Sequence, residues 1–290
     1  MTTGENTVGD VFSAGAEEFH SWSRVLWDPV GEATAEVAAL TGGESVLDAC
    51  CGAGASALPA ARAVGAAGRV DAVDLADGLL AIGERRAREE GLANIRFHRH
   101  EVTSWLVPGP GYDAVQCGLG VFFFPDMDRD SAALTRMLRP GGRFVVTVWE
   151  KGALGGWQAA LRGAVLTERD LPGAPPMEQL ARIDTAGTLA ARIDTAGTLA
   201  ARIDTAGTLA AWLTDLGGSE PRVVQRHFDA PLSPETGWEL AIGSGARRML
   251  DGLSPAAFER VRAQFTARLT ADAVTDLDAR VLTGTAHFTG

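Results

Sequence analysis

Over its first 150 residues the chain alternates between two kinds of pattern. Strand-length runs at Val46–Leu47, Val70–Leu75, Ile95–His98, Tyr112–Cys117 and Arg143–Trp149 read as buried strands. Between them lie stretches of helical period at Ala57–Val64, Gly78–Glu90 and Ser131–Leu138. In the second of these, Leu79, Leu80, Ile82 and Ala87 make an apolar face. Glu84, Arg85, Arg86, Arg88 and Glu89 make a solvated one, and Gly91 ends the helix. Val107-Pro108-Gly109-Pro110-Gly111 and Arg139-Pro140-Gly141-Gly142 read as rigid turns. Strand and helix alternating at this spacing predict a doubly wound parallel sheet, with ligands beyond the carboxyl ends of the strands.

Upstream of the first strand, Met1–Asp10 is polar and expected to fray. Val11–Ala39 predicts two helices broken near Asp28-Pro29. The first carries Phe12, Phe19, Trp22 and Trp27, with His20 among them. That aromatic surface either packs on the sheet or forms a lid over a ligand pocket.

The stretch Ser45–Ala57, SVLDACCGAGASA, carries the first candidate chemistry. Gly52 and Gly54 make a tight turn between strand and helix. Asp74 follows at the end of the second strand, and the whole makes a nucleotide-binding βαβ unit. Gly52, Gly54 and Ala57 even satisfy the dinucleotide pattern, but that pattern is weak. Asp48 argues against it. Its carboxylate sits at the mouth of the turn, where a pyrophosphate would meet a like charge. A ligand with a cationic end fits better, and S-adenosylmethionine carries an ammonium and a sulfonium and no phosphate. The plainer role for Asp48 is to cap the following helix. Asp48, Asp74, Glu101 and Cys117 all fall at carboxyl ends of predicted strands, so four turns converge on one crevice.

Composition narrows the partners. The chain has 290 residues, 46% hydrophobic and 22% charged, with a formal net charge of −11. That charge disfavours nucleic acid and anionic membrane surfaces, both of which need clustered cations. Lys151 is the only lysine. Three cysteines, Cys50, Cys51 and Cys117, show no zinc spacing, so no metal site is expected. They read as reduced thiols in a cytoplasmic protein. No apolar run approaches the ~18 residues of a membrane span, and MTTGENTVGD lacks the features of a signal peptide.

The sequence from Val11 to Trp149 resembles the class I S-adenosylmethionine-dependent methyltransferases, and within them the quinone and small-molecule branch. VLDACCGAG, VDAVDLADGLL, HRHEV, YDAVQCGLGVFFFPD and LRPGGRFVVTVW fall in the order and at the spacing of that family's motifs. The resemblance implies an α/β fold: a doubly wound, seven-stranded, mostly parallel, Rossmann-like sheet with N-terminal and C-terminal helical lids. It implies S-adenosylmethionine as cofactor. Asp48, Cys50 and the Gly52-Ala53-Gly54 backbone would hold the methionine part, and Asp74 the ribose hydroxyls, with Leu75 against the adenine. Glu101 and the Val102 backbone would bind the adenine edge, and the Cys117 backbone would face the methionine end. Glu101 stands where the family usually has Asp.

The C-terminal half departs from this regularity. Residues 181–190, 191–200 and 201–210 are identical copies of ARIDTAGTLA. A ten-residue period drifts ~80° per copy around an α-helix, so no apolar stripe survives across copies. Only the third copy runs into Trp212, Leu213 and Leu216, completing an amphipathic helix ended by Gly217. It reads as the native element, and the first two as a tandem duplication looping out between the fifth and sixth strands. Arg222–Phe228 predicts the sixth strand. Ser233-Pro234-Glu235 and Ser254-Pro255 predict helix starts. Ala279–Phe288 predicts a final strand, antiparallel if the resemblance holds.

The expected organisation is a lid over 1–40, a cofactor-binding core over 41–150, an insertion over 151–210, and the end of the sheet over 211–290 with a helical cap at about 233–272. The expected function is methyl transfer to a small, hydrophobic or aromatic metabolite. Phe19, Trp22, Phe122, Phe123 and Trp238 are the candidate walls of its pocket, and His20 is the candidate base. The alternatives are a non-methylating reaction such as cyclisation, or a non-catalytic binding protein. Oligomeric state is not legible in the sequence.

Overall fold

The computed structural model describes residues 7–107, 109–168 and 199–289. Seven strands run in chain order over Ser45–Ala49 (β1), Arg69–Asp74 (β2), Ile95–Arg99 (β3), Tyr112–Gly118 (β4), Leu138–Trp149 (β5), Ser219–Pro231 (β6) and Asp276–His287 (β7). They form one sheet in the order β3-β2-β1-β4-β5-β7-β6. β1 pairs in parallel with β2 and β4, placing Asp48 beside Ala72 and Gln116. β7 inserts antiparallel between β5 and β6. Every residue of β1 is buried, as a central strand covered on both faces requires.

Helices cover the two faces. Val8–Ala14 (α1), Ala16–Ser21 (α2) and Asp28–Ala38 (α3) precede β1. Ala57–Val64 (α4) and Asp77–Glu89 (α5) are the first two crossovers, and Met127–Thr135 (α6) follows β4. Gly155–Val165 (α7), Ala206–Asp215 (α8), Pro234–Gly243 (α9) and Pro255–Ala271 (α10) follow among the described residues. One apolar core lies between the sheet and α6 and α8, and includes Leu47, Phe144, Leu209 and Leu213. A second joins α3, α7, α9 and α10 through Val30, Trp157, Trp238 and Phe265.

Several expectations need correction. The N-terminal segment does not break at Asp28-Pro29. Pro29 sits in the first turn of α3, where a missing N–H costs nothing. The chain instead bends at Gly15 and through a π-helical turn at Ser23–Trp27. Nor does fraying extend to Asp10. Thr7 and Asp10 form a capping box that starts α1 at Val8. The helix placed at Ser131–Leu138 begins earlier, because Asp126 caps it by accepting from the Arg129 N–H. The Pro140-Gly141-Gly142 segment lies within β5 as an irregularity, with the register to β4 shifting between Tyr112 and Ala114. Helix α7 has its own signal in Trp157, Leu161 and Val165, all buried and four residues apart.

The third repeat copy builds α8. Thr205 caps the helix, and Leu209, Trp212 and Leu213 are buried. Residues 181–198, most of the first two copies, lie outside the described residues. The last two residues of the second copy, Leu199 and Ala200, pack against the first core.

Candidate active site

The candidate site lies where the adjacent strands β1, β2 and β4 end. After Ala49 the chain turns at Cys50, with φ of 58°, and at Gly52 and Gly54, with φ of 52° and 85°. Glycine adopts this left-handed region at little cost. Cys50 adopts it with a side chain, which lies beside the Cys117 thiol. That neighbouring thiol, together with burial, pushes the Cys50 pKa well up. A Cβ at Gly120 would meet Cys117 Sγ and Cys50 Cβ at 2.7 Å, so a side chain here would force its neighbours to shift.

Two carboxylates flank the turn. Asp48 is 0% exposed. Its Oδ2 accepts from the Ser56 hydroxyl at 2.8 Å, and its Oδ1 has no partner. Asp48 therefore does not cap α4; it takes a hydroxyl from the residue before that helix. Burial raises its pKa to about 7, partly offset by Ser56 and the neighbouring Gln116 amide. Gln116 is equally buried, and neither end of its amide finds hydrogen-bond geometry. Asp74 accepts from the Gly52 N–H at 2.8 Å and the Ala76 N–H at 2.9 Å. It thereby ties the glycine turn to the loop after β2. Burial raises its pKa, against the pull of those backbone bonds.

At the end of β3, Glu101 and Val102 have local partners. The Glu101 side chain caps the short turn at Val102–Ser104, accepting from the Thr103 N–H and hydroxyl at 3.3 and 3.2 Å. Val102 is buried in the core below. Helix α1 lies directly over Leu75, where a Cβ on Gly9 would come within 2.7 Å of the Leu75 carbonyl oxygen.

The structure divides these aromatic residues into three sets. Phe12 packs edge-on against both Phe19 and Phe123, with centroids 6.1 and 5.7 Å apart. The Phe19 ring reaches to 4.0 Å of a Cβ position on Gly52. These three form a roof over the glycine turn. Phe122 abuts Phe123 but is buried in the sheet core. Trp22 and Trp238 lie instead between the N-terminal helices and the C-terminal cap. The Trp22 indole N–H donates to the Thr236 carbonyl at 3.1 Å, and Trp238 packs on Phe258 and Phe265.

His20 is one residue after Phe19, hence about 100° around the helix. Its Nδ1 lies 3.0 Å from the Ser23 hydroxyl. Burial, Arg86 and Arg85 lower its pKa. Sequence reasoning missed two residues here. Phe12 reads as one aromatic among several until its contacts with Phe19 and Phe123 set it apart. Arg86, placed on the solvated face of α5, is in fact only 17% exposed and bonded to Asp28 and the Ala53 carbonyl. Its signal was position: with Leu79, Ile82 and Gly83 it completes the 3-4-7 spacing of the buried stripe.

Comparison with known proteins places the chain in a family. The chain is 33% identical over 122 residues to the aklanonic acid methyltransferase DauC of Streptomyces sp. strain C5, covering 42% of this chain and 56% of that protein. It is 31% identical over 103 residues to the demethylmenaquinone methyltransferase of Geobacillus sp. strain WCH70, covering 36% and 44%. The chain thus spans about half the length of these curated relatives. In structure it is similar to the YcgJ protein of Bacillus subtilis, with a TM-score of 0.51 at 14% identity, covering 90% and 98% of the two chains. Residues 1–161 match the ubiE/COQ5 methyltransferase family. Since that match takes in the glycine turn, both flanking carboxylates and more than half of the sequence, the chain belongs to the ubiE/COQ5 methyltransferase family.

Proposed function

We propose that this protein transfers a methyl group from S-adenosylmethionine to a small, flat, apolar acceptor. The observation that carries the reading is Asp48: a fully buried carboxylate at the mouth of a glycine turn, with one oxygen unpartnered. Such a group favours a cation beside it and disfavours a pyrophosphate. The residues present fit the cofactor on that ground. Bound there, S-adenosylmethionine supplies an electrophilic methyl group on a sulfonium.

The chain's own residues then have simple tasks. Asp48 and the Gly52–Gly54 backbone hold the methionine end, and Asp74, with spare lone pairs on both oxygens, accepts from the ribose hydroxyls. Phe12, Phe19 and Phe123 exclude water and offer apolar faces to the acceptor. Positioning of this kind is worth several kcal/mol without a protein nucleophile. His20 is engaged by the Ser23 hydroxyl and has its pKa lowered by burial, Arg86 and Arg85, so no proton transfer is assigned to it. Relatives named for aklanonic acid and demethylmenaquinone support an apolar acceptor of quinone or polyketide type. Three free thiols suit a reducing compartment such as the cytoplasm.

Calorimetry tests the cofactor: S-adenosylhomocysteine is expected to bind and NAD is not. Incubation with S-adenosylmethionine and a panel of quinone and aromatic polyketide acceptors is expected to release S-adenosylhomocysteine. Binding of NAD without any adenosyl ligand would overturn the reading.

A further inference from the structure

Helix α3 is fixed to the glycine turn at two places. At Gly31 the contact is backbone to backbone, since a Cβ there would come within 2.1 Å of the Ala55 carbonyl oxygen. At the start of α3, Asp28 receives both of its carboxylate bonds from Arg86 Nη2, each at 2.8 Å. The same guanidinium donates through Nη1 to the Ala53 carbonyl at 3.1 Å, in the middle of the turn. Ala53 is 2% exposed, so no water competes freely for that carbonyl. Upstream of Asp28, the π-turn Ser23–Trp27 leads back to α2. Trp27 stacks on Phe19 with centroids 4.6 Å apart and planes 7° apart, and its indole N–H donates to the Phe19 carbonyl at 2.9 Å. One arginine therefore joins the turn that would hold the cofactor to the foot of the segment that roofs it.

We propose that Arg86 is a positioning residue of the cofactor site, holding the Ala53 carbonyl and the Asp28 carboxylate together so that the shape of the glycine turn depends on the docked foot of the lid. The inference rests on the proposed S-adenosylmethionine site and assigns that site a control point outside its lining. Arginine suits the task because its planar fork serves a carboxylate and a carbonyl in fixed directions. Lysine can retain the charge but not both sets of bonds.

The test measures S-adenosylhomocysteine affinity and dissociation rate for the wild-type chain, Arg86→Gln, Arg86→Lys and Asp28→Asn, with KM for S-adenosylmethionine and for the acceptor. Arg86→Gln is expected to weaken S-adenosylhomocysteine binding about 10-fold, the scale of one lost charge-assisted hydrogen bond. KM for S-adenosylmethionine rises with it, while KM for the acceptor stays within about twofold. Arg86→Lys recovers part of the affinity. Asp28→Asn, which spares the Ala53 bond, falls between wild type and Arg86→Gln and speeds dissociation. A folded Arg86→Gln variant with wild-type affinity overturns the proposal, as does a loss confined to the acceptor KM. Should Arg86→Gln fail to fold, unchanged affinity and dissociation in Asp28→Asn overturn it equally. A wild-type chain that binds no S-adenosylhomocysteine removes the function reading and this inference together, whereas wild-type binding that Arg86→Gln leaves intact removes this inference alone.

Discussion

The Asp74 carboxylate holds the Gly52 N–H at 2.8 Å across 22 residues of sequence, so the second strand's terminal acid shapes the first strand's turn. The residue thus has two tasks, one toward the backbone and one toward the proposed ribose. Asp74→Ala is expected to weaken S-adenosylhomocysteine binding by about 1–3 kcal/mol. It is also expected to lower thermal stability in the absence of ligand, because the Gly52 and Ala76 N–H groups lose their acceptor. Calorimetry and a melting curve separate the two effects.

Gly120 is expected to resist substitution. Gly120→Ala sets a methyl against Cys117 Sγ and Cys50 Cβ, both at 2.7 Å, and costs about 1–3 kcal/mol as an overpacked core site. Cys50 itself sits at a positive φ. The double variant Cys50→Gly with Gly120→Ala removes that side chain and its backbone strain together, and is expected to recover much of the loss in chemical denaturation.

Trp22 and Phe19 are expected to part company. Trp22 is 2% exposed and bonded to the C-terminal cap, so Trp22→Ala is expected to destabilise the fold by about 3–5 kcal/mol. Phe19→Ala, in the roof, is expected to impair cofactor affinity and acceptor turnover with a smaller stability loss. Equal destabilisation by both variants would place Phe19 in the core as well.

The pH dependence of stability follows from Asp48. Its pKa in the folded chain, about 7, lies above the ordinary carboxylate value of an unfolded chain. Folding therefore takes up a proton between those values. The stability tied to neutral Asp48 is full below about pH 4 and is lost as pH rises through about 7. Asp48→Asn stays neutral throughout. Its melting temperature relative to wild type is expected to rise between pH 4 and pH 8, while its affinity for S-adenosylhomocysteine falls.

Removing one repeat copy tests the reading of the duplication. Deletion of residues 181–190 leaves α8 and the two packed residues Leu199 and Ala200 with their own sequence. Shortening a long connection changes loop-closure entropy little. The melting temperature is expected to stay within about 5 °C of the full chain.

What was legible in the sequence was local. The strand runs, the glycine turn and the serine-proline helix starts are encoded within a few residues of where they act. Long-range partners were not. Arg86 reads as solvated until Asp28, 58 residues away, is seen against it. The aromatic residues of the N-terminal segment share one composition whether they roof a crevice or fasten a cap. Trp22 is told from Phe19 by Thr236, which no local pattern announces. The carboxylate of Glu101 has a nearer acquaintance in Thr103 than the strand-end placement suggested.

The Trp212 indole N–H donates to Asp128 at 2.8 Å, beside the ion pair of Arg202 with the same carboxylate. A slip by one whole copy would bring Arg202 to the place of Trp212 and Ile203 to that of Leu213. No indole would then reach Asp128, and a guanidinium would face the apolar seat beside Phe144. Trp212 thus works as an end stop on an otherwise self-similar tape: only the copy that runs into it carries the side chains that seat beside Asp128 and Phe144.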